Sequence, residues 1–471
     1  IFFAMLAAFR RIHVGQAVDP LLAAVQARLS SPWEFVKTVG VMWVVAKTVK
    51  LVRCSRNMPC RPAITKKILN YLADDNLLFQ QGDRAKELRV QYGKLLNTSA
   101  VQKQVHHDSW NILAACSEKW AADGPVDFFE EMRVCVYDII GKVFFGEEFF
   151  TTDLGRLIRD SHWLIRDGHL YCIDNCMQVG MVTSEPCRVP EFQKYEEAKT
   201  EFFSAVTEAL NIKKSKPDSD KDAFRMLLTE TREDGTPLFS DTVWVATMQG
   251  LLNGAFGSTR CSLTWVVYYL AKYPKIQQRL RDELYRKYGT KLQGDAADCP
   301  LSPADLSQSN FPLLEAVIRE TLRTRATVPV ASRVHDTAAL QVPGLGRNGA
   351  AAPVAPGVAC HAVYALSMND EASAGANPTE FNVDRWLRGH GNHKTMAPAD
   401  DPINRHFFAF GGHARSCVGM NFAYVEMRSL IVYLVATFSW TLAEPTEGVE
   451  NLYAAGVQQP KLGLKLNFKR L

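Results

Sequence analysis

The sequence lacks a strong excess of charge, paired cysteine motifs and long apolar runs. Its 54 lysines and arginines nearly balance 50 acidic residues, and a net charge of +4 is too small to indicate a nucleic acid partner. The eleven cysteines include no CxxC pair, which excludes zinc ribbons and thioredoxin-like sites. No apolar stretch reaches the roughly 20 residues that a membrane-spanning helix needs. Flavin-binding and nicotinamide-binding motifs are absent as well.

The N-terminal 70 residues are strongly basic. They hold eleven lysines and arginines against Asp19 and Glu34, whereas the rest of the chain is slightly acidic. This asymmetry favours contact with a membrane surface or an acidic partner, and a solvated basic face is the alternative. The apolar run Ile1–Phe9, followed by Arg10 and Arg11, is either the end of a truncated membrane anchor or an ordinary amphipathic helix.

Helical periodicity dominates the remaining chain, which predicts a mainly α protein with small β-sheets, an α+β fold. The longest predicted helix begins at Ser240 and continues without proline until Pro274, a length of about 45 Å. Gly250, Gly254 and Gly257 lie on one face of it. Each glycine costs about 1 kcal/mol relative to alanine inside a helix. We therefore expect a flat ligand, or another helix, to approach the backbone at this face.

A second motif precedes the last apolar helix and reads Phe410-Gly411-Gly412-His413-Ala414-Arg415-Ser416-Cys417-Val418-Gly419. A cysteine at the start of a helix lies near free N–H groups and the positive end of the helix dipole, which favour the metal-binding thiolate. Arg415 adds a positive charge that can pair with an anionic cofactor group. The segment resembles the heme-binding loop of the cytochrome P450 family, Phe-x-x-Gly-x-Arg-x-Cys-x-Gly. His413 stands where the family has its second glycine.

The resemblance extends beyond this loop. Glu320-Thr321-Leu322-Arg323 matches the Glu-x-x-Arg motif of the family, and its two charged side chains share one helix face. In the family a later arginine joins them, and Arg385 stands at that position. The resemblance therefore implies that Glu320, Arg323 and Arg385 form a structural lock without a chemical role.

The resemblance also interprets the long helix. Residues 251–265 are similar to the family's helix beside the oxygen-binding cleft, which places Gly254 against the heme. Ser258 stands at the position of the usual threonine, with Thr259 as a second candidate for contact with oxygen. Gly257 replaces the acid that normally precedes it. The resemblance further implies heme contacts for a set of loop and helix residues: Arg89, Arg333, Phe410, Gly411, His413, Arg415 and Gly419.

Together these matches imply a cytochrome P450 fold with heme b between the long central helix and the helix after Cys417. Cys417 would bind the iron, and the chain would act as a monooxygenase on a lipophilic substrate, a sterol first and a fatty acid second. Electrons would come from an NADPH-dependent diflavin reductase at the cytosolic face of the endoplasmic reticulum membrane. A ferredoxin-type iron–sulfur protein at the mitochondrial inner membrane is the alternative.

The departures at Gly257, at His413 and at Ala85, which stands where the family has a tryptophan, leave two other functions open. One is an isomerase or dehydratase of the same fold that rearranges peroxides without a reductase. The other is a heme binder without catalytic activity. For the domain organisation, we expect a membrane-facing segment over residues 1–70 and one heme-enclosing body over residues 71–471.

Overall fold

The computed structural model describes most of the chain from Asn76 onward, with side chains. The N-terminal segment 1–70, and with it the predicted membrane contact, lies outside the described residues, and so do His413 and Arg415. The described residues are 76–77, 80, 82–122, 124–146, 151–174, 190–215, 228, 231, 235–237, 239–292, 299–335, 340–342, 352–354, 357–362, 375, 377–391, 393–405, 407–411, 416–444, 451–454 and 457–471.

The described residues are mainly helical, as the periodicity predicts. The helices are α1 (Gly82–Leu96), α2 (Ser99–Cys116), α3 (Phe128–Phe145), α4 (Asp153–Asp174), α5 (Pro190–Ser215), α6 (Asp241–Lys272), α7 (Pro274–Leu292), α8 (Pro312–Thr324), α9 (Pro402–Arg405) and α10 (Met420–Thr437). The bounds of α6 fall within two residues of the predicted start at Ser240 and end before Pro274.

The strands are short and belong to small sheets. They are β1 (Val126–Asp127), β2 (Val330–His335), β3 (Leu340–Val342), β4 (Ala352–Val354), β5 (Gly357–Ala362), β6 (Leu387–Arg388), β7 (Thr395–Met396), β8 (Phe438–Leu442), β9 (Asn451–Ala454), β10 (Val457–Pro460) and β11 (Lys465–Arg470). The largest sheet is antiparallel in the order β1-β11-β8, and the others are two-stranded pairs: β2-β5, β3-β4, β6-β7 and β9-β10.

Helix α6 lies at the centre of the helical body. The Ser240 hydroxyl accepts a bond from the Val243 N–H at 3.4 Å and caps its start, as the sequence predicts. It ends before Pro274, whose missing N–H is not needed at the first position of α7. Helices α3, α5, α8 and α10 and strands β8 and β10 pack around it. Phe256 and Trp265 are fully buried there, and each stabilises the core by roughly 2–3 kcal/mol.

The chain separates into two compact units. The first comprises residues 1–62 and 333–359, and its described part includes the antiparallel pair β3-β4. The second comprises residues 63–332 and 360–471 and holds every helix named above. Among the described helices, none is both long and apolar enough to cross a membrane.

One glycine of α6 is explained by packing alone. A Cβ atom added to Gly250 would lie 2.5 Å from Nδ2 of Asn76, which donates to the Ala246 carbonyl at 3.2 Å. The side chain of Asn76 thus occupies the face that a larger residue would need. Gly93 in α1 provides a contrast, because an added Cβ there meets no atom within 4 Å.

We predict opposite effects for alanine at these two glycines. Gly250→Ala should lower the free energy of unfolding by about 1–3 kcal/mol through overpacking against Asn76. Gly93→Ala should raise it by up to about 1 kcal/mol, since alanine loses less backbone entropy in a helix. Urea unfolding followed by circular dichroism measures both, and changes of the same sign would contradict the packing explanation.

Candidate heme site

The loop before α10 is held by its own backbone. Gly411 has a φ of 73°, a conformation that glycine adopts without strain, and its N–H donates to the Phe408 carbonyl at 2.8 Å. The Cys417 N–H donates to the Phe410 carbonyl at 2.7 Å. The Phe410 ring packs on Tyr424 of α10, with 5.1 Å between the ring centroids. These contacts fix Cys417 directly before the first turn of α10.

The Cys417 thiol is accessible to solvent, although protein atoms surround it closely enough to desolvate it. Accessibility is the property that matters for a ligand, because it leaves the sulfur open on one side. Burial raises the pKa of the thiol, whereas a bond from the Gly419 N–H and the charge of Arg89 lower it. The helix start therefore supplies the predicted N–H group. In the protein alone, however, desolvation raises the pKa of the Cys417 thiol by more than this N–H group and Arg89 lower it.

Helix α6 has a narrow open strip. Between Val243 and Ala271 all but five positions are buried. A Cβ atom added to Gly254 would meet no atom within 4 Å, so the backbone there is open to a flat group. The exposed or half-buried positions are Gly250, Asn253, Gly254, Ala255 and Ser258.

The residues present fit a heme. An accessible cysteine with an N–H bond to its sulfur suits iron ligation, and N–H groups directed at the sulfur tune a bound metal. The open strip of α6 provides backbone that a planar macrocycle can approach, and α6 packs against α10.

The glycine face of α6 differs from the prediction. The three glycines do not share one role: Gly250 accommodates Asn76, Gly254 is open and Gly257 is buried. The expected approach surface therefore reduces to the strip around Gly254. The spacing of the glycines could not show this, because Asn76 comes from a distant part of the chain.

The two hydroxyl candidates of α6 lie in different surroundings. The half-buried Ser258 donates to the Gly254 carbonyl at 2.6 Å, beside the open strip. Thr259 is buried and donates to Oε2 of Glu426 on α10 at 3.1 Å. The structure thus places Ser258 at the candidate site and Thr259 at a contact between the two helices.

Glu426 is a buried acidic residue at the contact between α6 and α10, and the sequence reasoning missed it. Its side chain is fully buried, and Oε1 has no hydrogen-bond partner among the described residues. Burial raises the pKa of its carboxyl to about 8, and the bond from Thr259 opposes that rise. The signal was present in the sequence: Glu426 is an acidic residue within the apolar run of α10.

The predicted lock residues come together in the structure. Arg323 donates to the buried Glu320 carboxylate with Nε and Nη2, both at 2.8 Å, and Arg385 Nε lies 3.5 Å from it. The Asn382 N–H and the Trp386 indole N–H also donate to Glu320, at 2.8 and 2.9 Å. One carboxylate therefore joins α8 to the segment after residue 381.

This lock reaches the cysteine loop through aromatic packing. Trp386 packs edge-on against Phe407, with 5.1 Å between the ring centroids. Arg319 lies over both rings and pairs with the buried Glu315 at 2.7 Å. Arg428 of α10 pairs with the same carboxylate at 2.6 Å. The Glu315 carboxylate thus links α8 to α10.

The predicted heme-binding arginines are only partly described. Arg89 on α1 donates to the Ser416 carbonyl, so it lies beside Cys417. Arg333 lies in β2, and its side chain is outside the described residues, like all of Arg415 and His413. Their predicted contacts with the heme remain predictions.

We predict that removing the Glu320 carboxylate destabilises the protein strongly. Glu320→Ala leaves Arg323 buried without its main partner, which costs about 3–5 kcal/mol of unfolding free energy. The exposed Glu444, paired with Lys465 at 3.1 Å, is the matched control, and Glu444→Ala should cost at most about 1 kcal/mol. Equal losses in urea unfolding would show that Glu320 is not a lock.

Glu426 predicts a specific pH dependence of stability. Its carboxyl has a pKa of about 8 in the folded chain and near 4.5 when unfolded, so between these values the folded state holds one more proton. As the pH rises through this range, this group should therefore lower the free energy of unfolding by about 1.4 kcal/mol per pH unit. Urea unfolding at pH 6 and pH 8 should show this loss in the wild type and in Glu444→Gln, but not in Glu426→Gln.

Comparison with known proteins adds independent findings. The chain is 31% identical over 235 residues to the mitochondrial sterol 26-hydroxylase of Mus musculus. It is 29% identical over 220 residues to the mitochondrial cholesterol side-chain cleavage enzyme of Hypanus americanus. These alignments cover 49% and 46% of this chain but only 39% and 36% of the relatives.

The fold resembles solved structures over nearly the whole chain. The retinoic acid-bound cyanobacterial CYP120A1 has a TM-score of 0.69 at 18% identity, covering 88% of this chain and 84% of the other. A family model described as Cytochrome P450 matches residues 46–468. Members of that family bind heme b through a cysteine thiolate. A match of this extent, on a chain with this fold and cysteine loop, shows that the protein belongs to the cytochrome P450 family.

Proposed function

We propose that the chain is a heme-thiolate monooxygenase in which Cys417 is the iron ligand. The observation that carries the proposal is the accessible Cys417 sulfur at the start of α10, with a bond from the Gly419 N–H. Heme, when bound there, supplies the activation of dioxygen and the transfer of one oxygen atom to the substrate.

The chain's own residues orient and enclose this chemistry. The Gly419 N–H and the charge of Arg89 stabilise the Cys417 thiolate, which suits iron ligation. Gly254 leaves room for the macrocycle, and the Ser258 hydroxyl borders that strip, where it can donate to oxygen or water. The buried network around Glu320 orients Trp386, which packs on Phe407 shortly before the cysteine motif.

We propose a sterol as the substrate, with a fatty acid as the second candidate. The support comes from relatives whose names include sterol 26-hydroxylase and cholesterol side-chain cleavage enzyme. The matched regions span about two fifths of those relatives. Spectral titration of the heme protein with a sterol and with a fatty acid therefore tests the substrate assignment.

For the electron donor we propose a ferredoxin-type iron–sulfur protein, which corresponds to the mitochondrial location. The relatives named mitochondrial favour this donor and compartment over the diflavin reductase of the endoplasmic reticulum. Reconstitution with each donor separately, measured as substrate-dependent electron uptake, decides between them. Turnover with a hydroperoxide and with neither donor would instead support the isomerase alternative.

We predict a thiolate-type band in the reduced carbon monoxide difference spectrum of the purified protein. Cys417→Ala should abolish that band, because no other described cysteine lies at the start of α10. Cys299→Ala, at a partly buried cysteine elsewhere, should retain it. A band that persists in Cys417→Ala would overturn the ligand assignment.

The substrate and the role of Ser258 can be tested on the same protein. Cholesterol should shift the heme spectrum at lower concentration than lauric acid if the pocket prefers sterols.

Ser258→Ala should lower the yield of product per electron, because the hydroxyl beside the open strip is lost, while Ser99→Ala at the exposed start of α2 should not. An unchanged yield would remove Ser258 from the mechanism.

A further inference from the structure

Two cysteines that the proposed function does not use lie at the contact between α2 and α3. Cys116 is the last residue of α2 and is half-buried, whereas Cys135 in the middle of α3 is fully buried. The Cys135 thiol donates a hydrogen bond to the Cys116 sulfur, and neither cysteine is in a disulfide. The packing of the two helices therefore brings together a partly accessible thiol and a buried one.

Hydrogen bonds on both sides hold the end of α2 against the face of α3 that carries Cys135. The Trp120 indole N–H, in the turn after α2, donates to Oε2 of Glu131 at 3.1 Å. Glu131 lies one helical turn before Cys135, and residues four apart share a helix face. The hydroxyl of Ser117, the residue that follows α2, is hydrogen-bonded to the Tyr433 hydroxyl of α10 at 3.0 Å. These contacts fix the position of the last residue of α2 independently of the bond between the thiols.

The two thiols differ in the way that a redox-sensitive pair requires. The bond from Cys135 lowers the pKa of the Cys116 thiol, although burial and the charges of Asp138 and Glu131 oppose this effect. The same bond, together with burial, raises the pKa of the Cys135 thiol. A thiolate is the form that attacks a peroxide, and redox-sensitive cysteines are accessible and lie next to a second thiol. Accessibility and thiolate character both assign the attack to Cys116.

We propose that Cys116 and Cys135 are a site of oxidation by hydroperoxides, which closes to a disulfide between α2 and α3. The Cys116 thiolate attacks the outer oxygen of the hydroperoxide, so the O–O bond breaks and an alcohol, or water from hydrogen peroxide, leaves with a solvent proton. The Cys116 sulfenic acid then reacts with the Cys135 thiol, which forms the S–S bond and releases water. The two thiols lose two electrons, and the peroxide gains them.

The disulfide would join α2 to a helix that packs on the centre of the fold. Helix α3 packs against α6, where Tyr137 lies edge-on to Phe256 with 5.5 Å between the ring centroids. A bridge between α2 and α3 restricts the unfolded chain more than the folded one. Oxidation should therefore raise the thermal midpoint of the protein by about 2–5 °C, and reduction should reverse the rise.

Peptide mapping of the purified holoprotein tests the bond itself. The protein is treated briefly with hydrogen peroxide, quenched with catalase, alkylated and digested with trypsin. Cys116 then lies in the peptide of residues 104–119, and Cys135 lies in the peptide of residues 134–142. Mass spectrometry should find these two peptides joined in the oxidised wild type, and dithiothreitol should separate them. Absence of the joined peptides would overturn the proposal.

Single variants separate the attacking thiol from the resolving one. In Cys135→Ser, or in Cys135→Ala if serine is not tolerated in the core, the Cys116 sulfenic acid should persist, so dimedone should label Cys116. The wild type should lose this label to the disulfide. Cys299 is also half-buried but lies outside both helices, so Cys299→Ser should form the same disulfide as the wild type. Equal dimedone labelling of Cys116 and Cys299 in Cys135→Ser would refute a special reactivity of Cys116.

Thermal unfolding followed by circular dichroism tests the effect of closure. The oxidised wild type should unfold about 2–5 °C above the reduced protein, whereas peroxide should not raise the midpoint of Cys116→Ser. An equal rise in Cys116→Ser would show that the stabilisation comes from another oxidation and would overturn its assignment to this disulfide. These measurements need no substrate or electron donor, so they stand apart from the test of the monooxygenase function.

Discussion

The buried carboxylate of Glu320 is the interaction on which the arrangement of the site depends. Five donor groups surround it, from α8 and from the segment between residues 382 and 386: two of Arg323, the guanidinium of Arg385, the Asn382 N–H and the Trp386 indole. A charge this deeply buried tolerates no missing partner. The indole that it orients packs on Phe407, three residues before Phe410, where the cysteine motif begins.

Among the residues that the structure describes, three glutamates are buried, and their partners differ. Glu320 is surrounded by donors, and Glu315 is shared between Arg319 and Arg428. Both carboxylates link separate segments of the chain through ion pairs and hydrogen bonds. Glu426 has a threonine hydroxyl in place of a cation, and burial raises its pKa to about 8. The same residue type thus links chain segments through arginine at two positions and lies between two helices without a cation at the third.

Much of the fold could be predicted from the chain itself. The serine cap, the absence of proline up to Pro274 and the apolar periodicity predict α6, which lies at Asp241–Lys272 with Ser240 as its cap. The cysteine loop and the Glu-x-x-Arg spacing are local patterns, so residue order alone identifies them. The role of each glycine in α6, in contrast, could not be predicted from its neighbours in the sequence. Gly250 makes room for the side chain of Asn76, which is far away in sequence. Of the three glycines, Gly254 is the one whose backbone is open.

The sequence by itself determined the helical class and the cysteine before α10, because each depends on neighbours along the chain, whereas the resemblance to the family implied the three residues of the lock. The tertiary structure decided which hydroxyl borders the open strip and which is buried. It also gave Glu426 its character, since a pKa depends on the solvent and the charges that surround a group in space. The burial of a side chain and its hydrogen-bond partners depend on how helices pack against one another. The spacing of residues within one helix does not determine either.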